Sequence, residues 1–350
     1  MSPKSEPEPK FVEYFRYSYR PFPAESEGKR TMSASKRRIG VVMDPIESIK
    51  PKKDSSLAML LEAERRGAEI HYMLQSDLKL LADQALGQSR RLRVRDHEED
   101  WFELGGEEEI HLGDLDVILM RKDPPFDMEY VYTTYILGRA EEAGALIVNK
   151  PQALRDMNEK AFTAWFPQCA PLTLITRSMQ EMKEFLAEHE KIVVKPLDGM
   201  GGKSIFVIAA GDKNANVIFE TLTDNGSRFA MAQVFIPEIS KGDKRILLID
   251  GEPVPYSLAR IPSADDNRGN LVMGAVGEGR ALSEREAWIC SEVGPVMKEC
   301  GVIFCGIDVI GDYLTEINVT SPTGIRELDT IFDLNIAATL FDAIEARLDS

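Results

Sequence analysis

Apolar residues in this chain come in short runs separated by amphipathic stretches, and the alternation predicts most of the elements. Residues 39–44, Ile-Gly-Val-Val-Met-Asp, read as a buried strand. Residues 54–66 follow as an amphipathic helix with Gly67 as its stop. Strands are predicted at 69–74, 116–120 and 146–149, with a helix at 130–143. Such alternation predicts an α/β architecture with a parallel, doubly wound sheet. The interval 76–113 is poorly patterned and acidic near 98–109, so no element is assigned there. After Pro151 a helix opens at Asn158-Glu-Lys160 and runs through Phe166, and strands cover 191–196 and 204–209.

Period-two alternation is clearest near the C-terminus. Leu314, Glu316 and Asn318 alternate with Thr315, Ile317 and Val319, so Glu316 and Asn318 share one strand face. Gly311-Asp312 is a turn signal joining this strand to the one that carries Asp308. Directly opposed residues share a face, and one register step reverses that. A two-residue loop would set Asp308 opposite Thr315; a three-residue loop, 311–313, sets it opposite Glu316. A three-residue turn with a bulge is therefore predicted if the three polar groups are to converge.

Composition narrows the class. The chain has 350 residues, 43% apolar and 29% charged, enough for two or three domains and unlike a disordered chain. No apolar run approaches the roughly 18 residues of a spanning helix, so no membrane partner is expected. Lys plus Arg number 42 against 58 Asp plus Glu, a net charge of −16, which argues against nucleic acid. Any cationic contacts to an anionic substrate must therefore be concentrated in a cleft. Cys169, Cys290, Cys300 and Cys305 form no CxxC and read as reduced thiols of a cytoplasmic protein. His71, His97, His111 and His189 show no HExxH pairing, which counts against a zinc site or a histidine base. Residues 1–36 read as a flexible appendage, Pro/Glu/Lys-rich and then aromatic. They lack the apolar core of a targeting signal, and Met32 offers an alternative start.

Two segments carry candidate chemistry. Asp308, Glu316 and Asn318 supply hard oxygens that suit Mg²⁺, although a solvated strand face gives the same alternation. The loop Asp198-Gly-Met-Gly-Gly-Lys-Ser204 is neither a Walker A loop, which would need glycine at Leu197, nor GxGxxG, which would need it at Ser204. What remains is a strand–glycine loop–strand hairpin whose amides can close over phosphates, or an ordinary glycine-rich turn. Lys195, bracketed by Ile192, Val193, Val194 and Pro196, favours the phosphate reading, since a buried lysine is costly without an anionic partner.

Lys160, Val194-Lys195-Pro196, the 198–202 loop and the Asp308/Glu316/Asn318 set together resemble an ATP-grasp ligase. Longer motifs narrow the likeness. Val42-Met-Asp-Pro45, Lys52-Lys-Asp-Ser-Ser56, Leu119-Met-Arg-Lys-Asp-Pro-Pro-Phe-Asp127, Val148-Asn-Lys-Pro-Gln152, Lys195-Pro-Leu-Asp-Gly-Met-Gly-Gly202 and Thr315-Glu-Ile-Asn-Val-Thr-Ser-Pro-Thr323 resemble bacterial-type glutathione synthetase, over about residues 37–348. The resemblance implies an ATP-grasp fold behind an N-terminal doubly wound domain at 37–157, a central lobe at 158–236 and a C-terminal lobe at 237–348 with a lid at 261–280. It implies that γ-glutamylcysteine and glycine are joined to glutathione through an acylphosphate, with ATP giving ADP and phosphate, in a cytoplasmic homo-oligomer.

By position, Lys160 and Lys195 would contact ATP phosphates, and Gly199, Gly201 and Gly202 would shape the covering loop. Gln233, Val234, Phe235 and Ile236 would line the adenine edge, and Asp243 would meet the ribose. Asp308, Glu316 and Asn318 would hold Mg²⁺ or Mn²⁺. Arg245 and Arg260, on apolar-flanked strands, and Arg268, on the lid, would clamp the dipeptide's carboxylates. The lid departs from the family: Gly269-Asn-Leu-Val-Met-Gly-Ala-Val276 stands where many relatives have Gly-Asn-Leu-Ala-Ala-Gly-Gly-Arg, and Arg280 is the candidate substitute. Two alternatives remain: another ATP-grasp carboxylate–amine ligase, of the D-alanine–D-alanine or glutamate type, or a non-catalytic nucleotide-binding protein.

Overall fold

A computed structural model describes residues 36–199, 201–262 and 276–350. The first sheet has seven strands: β1 (Arg38–Val42), β2 (Glu69–Met73), β3 (Leu78–Leu81), β4 (Gln84–Val94), β5 (Phe102–His111), β6 (Val117–Met120) and β7 (Leu146–Val148). β1 pairs in parallel with β2 and β6, and β6 with β7. This half matches the predicted alternation. β6 is buried throughout, as parallel strands covered on both faces are. Helices α1 (Ser55–Arg65) and α2 (Met128–Glu142) start where Asp54 and Asp127 accept from the amides of Leu57 and Tyr130.

The other half is antiparallel, with β2, β3 and β5 all laid against β4, so the sheet is mixed rather than purely parallel. β3, β4 and β5 occupy the stretch in which the sequence suggested nothing, whereas β2 lies where a strand was predicted. The reason is physical: β5 is held by cross-strand ion pairs, Arg90–Glu107, Arg91–Glu108 and Lys79–Glu109, and a solvated glutamate ladder hides the apolar alternation.

After the short helix α3 (Pro151–Asp156) the predicted helix from Asn158 to Phe166 is a 3₁₀ turn, Ala161–Trp165. The Asn158 carboxamide oxygen takes the amides of Lys160 and Ala161, which competes with α-helical pairing. The second sheet runs antiparallel in the order β10-β9-β11-β8, built from β8 (Thr173–Thr176), β9 (Lys191–Pro196), β10 (Phe206–Ala209) and β11 (Ala230–Val234). Helices α4 (Met179–His189) and α5 (Ala215–Thr223) cover it and share a core with it that includes Met182, Ile192, Val194 and Phe219.

The third sheet holds β12 (Asp243–Ile249), β13 (Glu252–Ile261), β14 (Val276–Ala281), β15 (Phe304–Ile310) and β16 (Tyr313–Asn318), in the order β14-β13-β12-β15-β16. Helices α6 (Glu284–Glu299), α7 (Ile325–Phe332) and α8 (Ile336–Leu348) complete the described chain. Leu247, Phe304, Leu328 and Phe341 belong to the same apolar core as Val41, Leu57 and Leu60, so the first and third sheets share one interior. Asn149 pins that junction. Its Nδ2 donates to the carbonyls of Phe304 and Val319, both at 2.6 Å, and its Oδ1 accepts from the amides of Ile303 (2.8 Å) and Phe304 (2.9 Å). Both donors and both lone pairs are used.

Candidate functional site

The site is set by strand register. On β12, Arg245 stands opposite Asp308 of β15, and Asp243 stands opposite Arg260 of β13. Across the β15–β16 hairpin Asp308 faces Glu316, and Gly306 faces Asn318. Opposed residues share a face, so Arg260, Asp243, Arg245, Asp308, Glu316 and Asn318 form one polar surface of the sheet. The missing side chain at Gly306 makes room for it, since a Cβ there would lie 2.7 Å from Arg245 Cδ.

The hairpin reaches this register by a different route from the predicted one. Ile310 pairs with Tyr313 across a tight Gly311-Asp312 turn, not a three-residue loop. Gly311 has φ +57°, which a glycine adopts without the cost a side chain would bring. The register then shifts between Asp308 and Val309, and this bulge turns Asp308 from Thr315 onto Glu316.

Ion pairs knit the surface together. Arg245 grips Asp308 with two bonds, Nε to Oδ1 at 2.5 Å and Nη2 to Oδ2 at 2.8 Å. Arg260 Nη2 lies 2.5 Å from Asp243 Oδ2 and 2.9 Å from Asp308 Oδ2. Burial alone would raise the Asp308 pKa, but Arg245 and Arg260 hold it well below the usual carboxylate range. Asp243 moves the other way, pushed up to about 7 by burial and by Asp308 and Glu316 against the pull of Arg260 and Arg245. Asp243 Oδ1 is buried without a hydrogen-bond partner.

Glu316 is the least encumbered acid, with Lys160 Nζ and Lys195 Nζ each 3.7 Å from its Oε1. Both lysines are deeply buried, at 2% and 5% exposure, so an anionic partner is a requirement of the fold. Burial pushes the Lys195 pKa down, whereas for Lys160 the nearby Glu316 and Glu159 outweigh burial and raise it. Lys160 Nζ also donates to the Gly199 carbonyl at 2.6 Å, tying it to the glycine loop. In that loop Gly201 and Gly202 have φ +66° and +78°, and a Cβ on Gly199 would meet Pro196 Cγ at 2.7 Å. Each of the three glycines is therefore required by the loop's shape.

Glu159 belongs to the site although the sequence reading passed over it. Its carbonyl accepts from the Ile317 amide at 2.8 Å, which draws it against β16, and its carboxylate pairs with Lys160. Burial, then Glu316, raises its pKa. The Asn318 amide can be set two ways: donating to Asp308 Oδ2 at 3.4 Å, or turned over, donating to Glu159 Oε2 and accepting from Arg245, both at 3.3 Å. The signal was present in Asn158-Glu-Lys160, but a helix there would have pointed Glu159 and Lys160 about 100° apart.

The adenine-edge candidates lie at the end of β11. The Gln233 side chain bonds Thr173 Oγ1 at 3.0 Å, and the amides of Val234 and Phe235 are taken by Leu172 and Lys191 carbonyls. The carbonyl of Ile236 accepts from Ile239. Arg268 and most of the 261–280 lid lie outside the described residues. Arg280 is engaged locally, with Glu278 and the Lys241 carbonyl. A cavity beside the network is bordered by Pro124, Phe126, Glu159, Leu197, Asp198 and Thr320. No group of three or more His, Cys, Asp or Glu is arranged around a metal position among the described residues; the hairpin set offers two carboxylates and an amide.

Residues 38–155 match the family model for the N-terminal domain of prokaryotic glutathione synthetase, and residues 159–333 the model for its ATP-grasp domain. The chain is 57% identical over 311 residues to the glutathione synthetase of Vibrio parahaemolyticus, covering 89% of this chain and 98% of that one. It is 58% identical over 311 residues to that of Escherichia coli K12, with coverage of 89% and 98%. Among solved structures, D-cycloserine synthetase DcsG superposes with a TM-score of 0.63 at 14% identity, covering 89% of this chain and 99% of that one. D-alanyl-alanine synthetase A from Vibrio cholerae gives a TM-score of 0.57 at 10% identity, with coverage of 91% and 100%. At such identities these two structures speak to the fold alone.

Proposed function

This chain belongs to the prokaryotic glutathione synthetase family, ATP-dependent ligases that make glutathione, and on that premise we propose how its residues divide the work. It joins γ-glutamylcysteine to glycine and converts ATP to ADP and phosphate. The cysteinyl carboxylate attacks the γ-phosphorus of ATP, forming an acylphosphate and releasing ADP. The glycine amine then attacks the acyl carbon, phosphate leaves with the C–O electron pair, and the nitrogen loses a proton.

The observation that carries this reading is the charge balance of the buried network. Glu159, Asp243, Asp308 and Glu316 meet Lys160, Lys195, Arg245 and Arg260, four acids against four bases. A triphosphate entering such a neutral site needs added positive charge, which supports a divalent cation as its companion. The donor chemistry fits Mg²⁺ or Mn²⁺: Asp308, Glu316 and Asn318 offer hard oxygens on one face. When bound, the ion would neutralise phosphate charge and polarise the γ-phosphoryl group. Glu316 is the readiest ligand, while Asp308 already shares its lone pairs with two guanidinium groups.

Phosphoryl transfer needs positioning and charge more than a nucleophilic side chain. Lys160 and Lys195 hold phosphates, each with a raw attraction of about 4 kcal/mol at 4 Å in an effective dielectric near 20. Gly199, Gly201 and Gly202 let loop amides close over them. The orphan Oδ1 of Asp243 suits a ribose hydroxyl, and residues 233–236 suit the adenine edge. Arg245 and Arg260 first orient Asp308; each guanidinium has five donors, and those left over can meet the carboxylate being activated. Arg268 is assigned to the dipeptide from the lid. We divide the chain into lobes at 37–157, 158–236 and 237–348; the separate core of the second sheet supports the middle one.

Purified protein with ATP, Mg²⁺, γ-glutamylcysteine and glycine should yield glutathione and one phosphate each by mass spectrometry and phosphate assay. D-alanine in place of both amino-acid substrates should yield none. Product from D-alanine alone would move the protein to another branch of ATP-grasp ligases.

A further inference from the structure

Three consecutive residues, Asn158, Glu159 and Lys160, each reach a different part of the site. Asn158 Nδ2 donates to the Leu197 carbonyl at 3.0 Å, and Lys160 Nζ donates to the Gly199 carbonyl at 2.6 Å. Between them, the Glu159 carbonyl accepts from the Ile317 amide of β16 at 2.8 Å. The two donors stand two residues apart, as do the two carbonyls they hold. Residues 158–160 and 197–199 therefore run side by side, joined through side chains rather than through backbone amides. Asn158 ties the arm that enters the glycine loop to a turn that is itself tied to the strand of Glu316 and Asn318.

That arm needs such a tie. β9 pairs with β11 as far as Pro196, and its ladder with β10 begins only beyond the loop, at Val194 opposite Phe206. Leu197 and the residues after it have thus left the sheet. Within the loop Gly201, Gly202 and Ser204 have φ +66°, +78° and +57°, a backbone that belongs to neither helix nor strand. Every loop residue ordered at the moment of binding costs conformational entropy, and an arm already held avoids that cost.

Of the two ties, the one from Lys160 is shared. Its ammonium also pairs with Glu159 and lies 3.7 Å from Glu316 Oε1, and the ligase reading gives it to the phosphates. Asn158 is neutral and has no such second partner in view. Its Oδ1 works locally, accepting from the amides of Lys160 at 3.1 Å and Ala161 at 2.9 Å, which shapes the turn that presents both donors. Its Nδ2 stays on Leu197 whichever way the lysine turns.

Resting on the ligase reading above, we infer that Asn158 is a positioning residue for the nucleotide's phosphates. It acts through the loop and touches no reacting group. It keeps the arm 197–199 in place while Lys160 turns to a phosphate. Because the same turn is fixed to β16, phosphates under the loop stand in register with Glu316 and Asn318 of the candidate metal set.

The test uses the full chain and Asn158→Ser, whose hydroxyl can still accept the turn's amides but is too short to reach Leu197. Calorimetry with ADP in the absence of metal, and competition by adenosine, which has no phosphate, separate the two halves of the nucleotide. The variant should bind ADP about tenfold more weakly, the scale of one lost hydrogen bond, and adenosine within about twofold of wild type. In turnover the KM for ATP should rise by a similar factor, while the KM for γ-glutamylcysteine changes less than about twofold. A residue that merely shapes its own turn would leave ADP affinity as in wild type, or lower ADP and adenosine together. Either result overturns the inference. Should the serine variant fail to fold, Asn158→Thr carries the same hydroxyl on a stiffer side chain, and the same comparison decides. Wild-type protein that binds ADP no more tightly than adenosine would instead remove the phosphate reading, and the inference with it.

Discussion

Replacing Glu316 by glutamine separates metal binding from nucleotide binding. The change keeps shape and removes one charge from the acid that has Lys160 and Lys195 each 3.7 Å from its Oε1. At an effective dielectric near 20, each of those pairs has a raw attraction of about 4 kcal/mol, an upper bound on what either lysine loses. In the ligand-free protein this loss should weaken folding, since both lysines are buried. With nucleotide bound, the phosphates replace the missing anion. The metal has no such substitute, and an ionic ligand's contribution of several kcal/mol corresponds to about a hundredfold or more in rate or affinity. Phosphate release titrated with Mg²⁺ should therefore show a half-saturating concentration raised at least tenfold and kcat lowered about a hundredfold. Calorimetric binding of ADP without metal should stay within about threefold of wild type. An unchanged Mg²⁺ dependence would refute the assignment of Glu316 as a ligand.

Lys195→Ala should weaken metal-free ADP binding at least tenfold by calorimetry, because it removes a phosphate partner; unaltered affinity would place Lys195 outside the nucleotide site. Asn149→Ala leaves the amides of Ile303 and Phe304 and the carbonyls of Phe304 and Val319 without their partner, and at about 1 kcal/mol or more per group should cost roughly 4 kcal/mol in urea unfolding. A loss below about 1 kcal/mol would mean that water replaces the amide. His71 is buried, and burial, then Arg38, pushes its pKa down to about 4 against the pull of Glu108. The unfolded chain then binds a proton more readily than the folded one between the ordinary imidazole value of 6.5 and about 4, so stability should fall as pH drops through that window. In His71→Gln that part of the pH profile should be flatter, and an identical profile would assign the acid sensitivity elsewhere.

The elements legible in the sequence were those whose pattern is local. β1 and β6 are continuous apolar runs, and Asp54 with Gly67 brackets α1. β4 and β5 were not legible because their stabilisation lies in Arg–Glu pairs that only pairing brings together. The acids of the hairpin were found by period-two counting, but the way Asp308 comes to face Glu316 was not. A turn signal cannot report a bulge three residues away. Glu159 was lost with the assumed helix at 158–166, where the Asn158 side chain turned the backbone instead. That Arg245 and Arg260 hold Asp308 and Asp243 depends on the register of three strands distant in sequence, which no local window contains.

The central claim is that this site activates the dipeptide's cysteinyl carboxylate as an acylphosphate. It is tested most directly by supplying γ-glutamylcysteine labelled with ¹⁸O in that carboxylate, together with ATP, Mg²⁺ and glycine, and analysing the released phosphate by mass spectrometry. Phosphate carrying one carboxylate-derived ¹⁸O per glutathione is the predicted result, because the oxygen that attacks the γ-phosphorus leaves with it. Phosphate free of label, with glutathione still formed, would contradict the account.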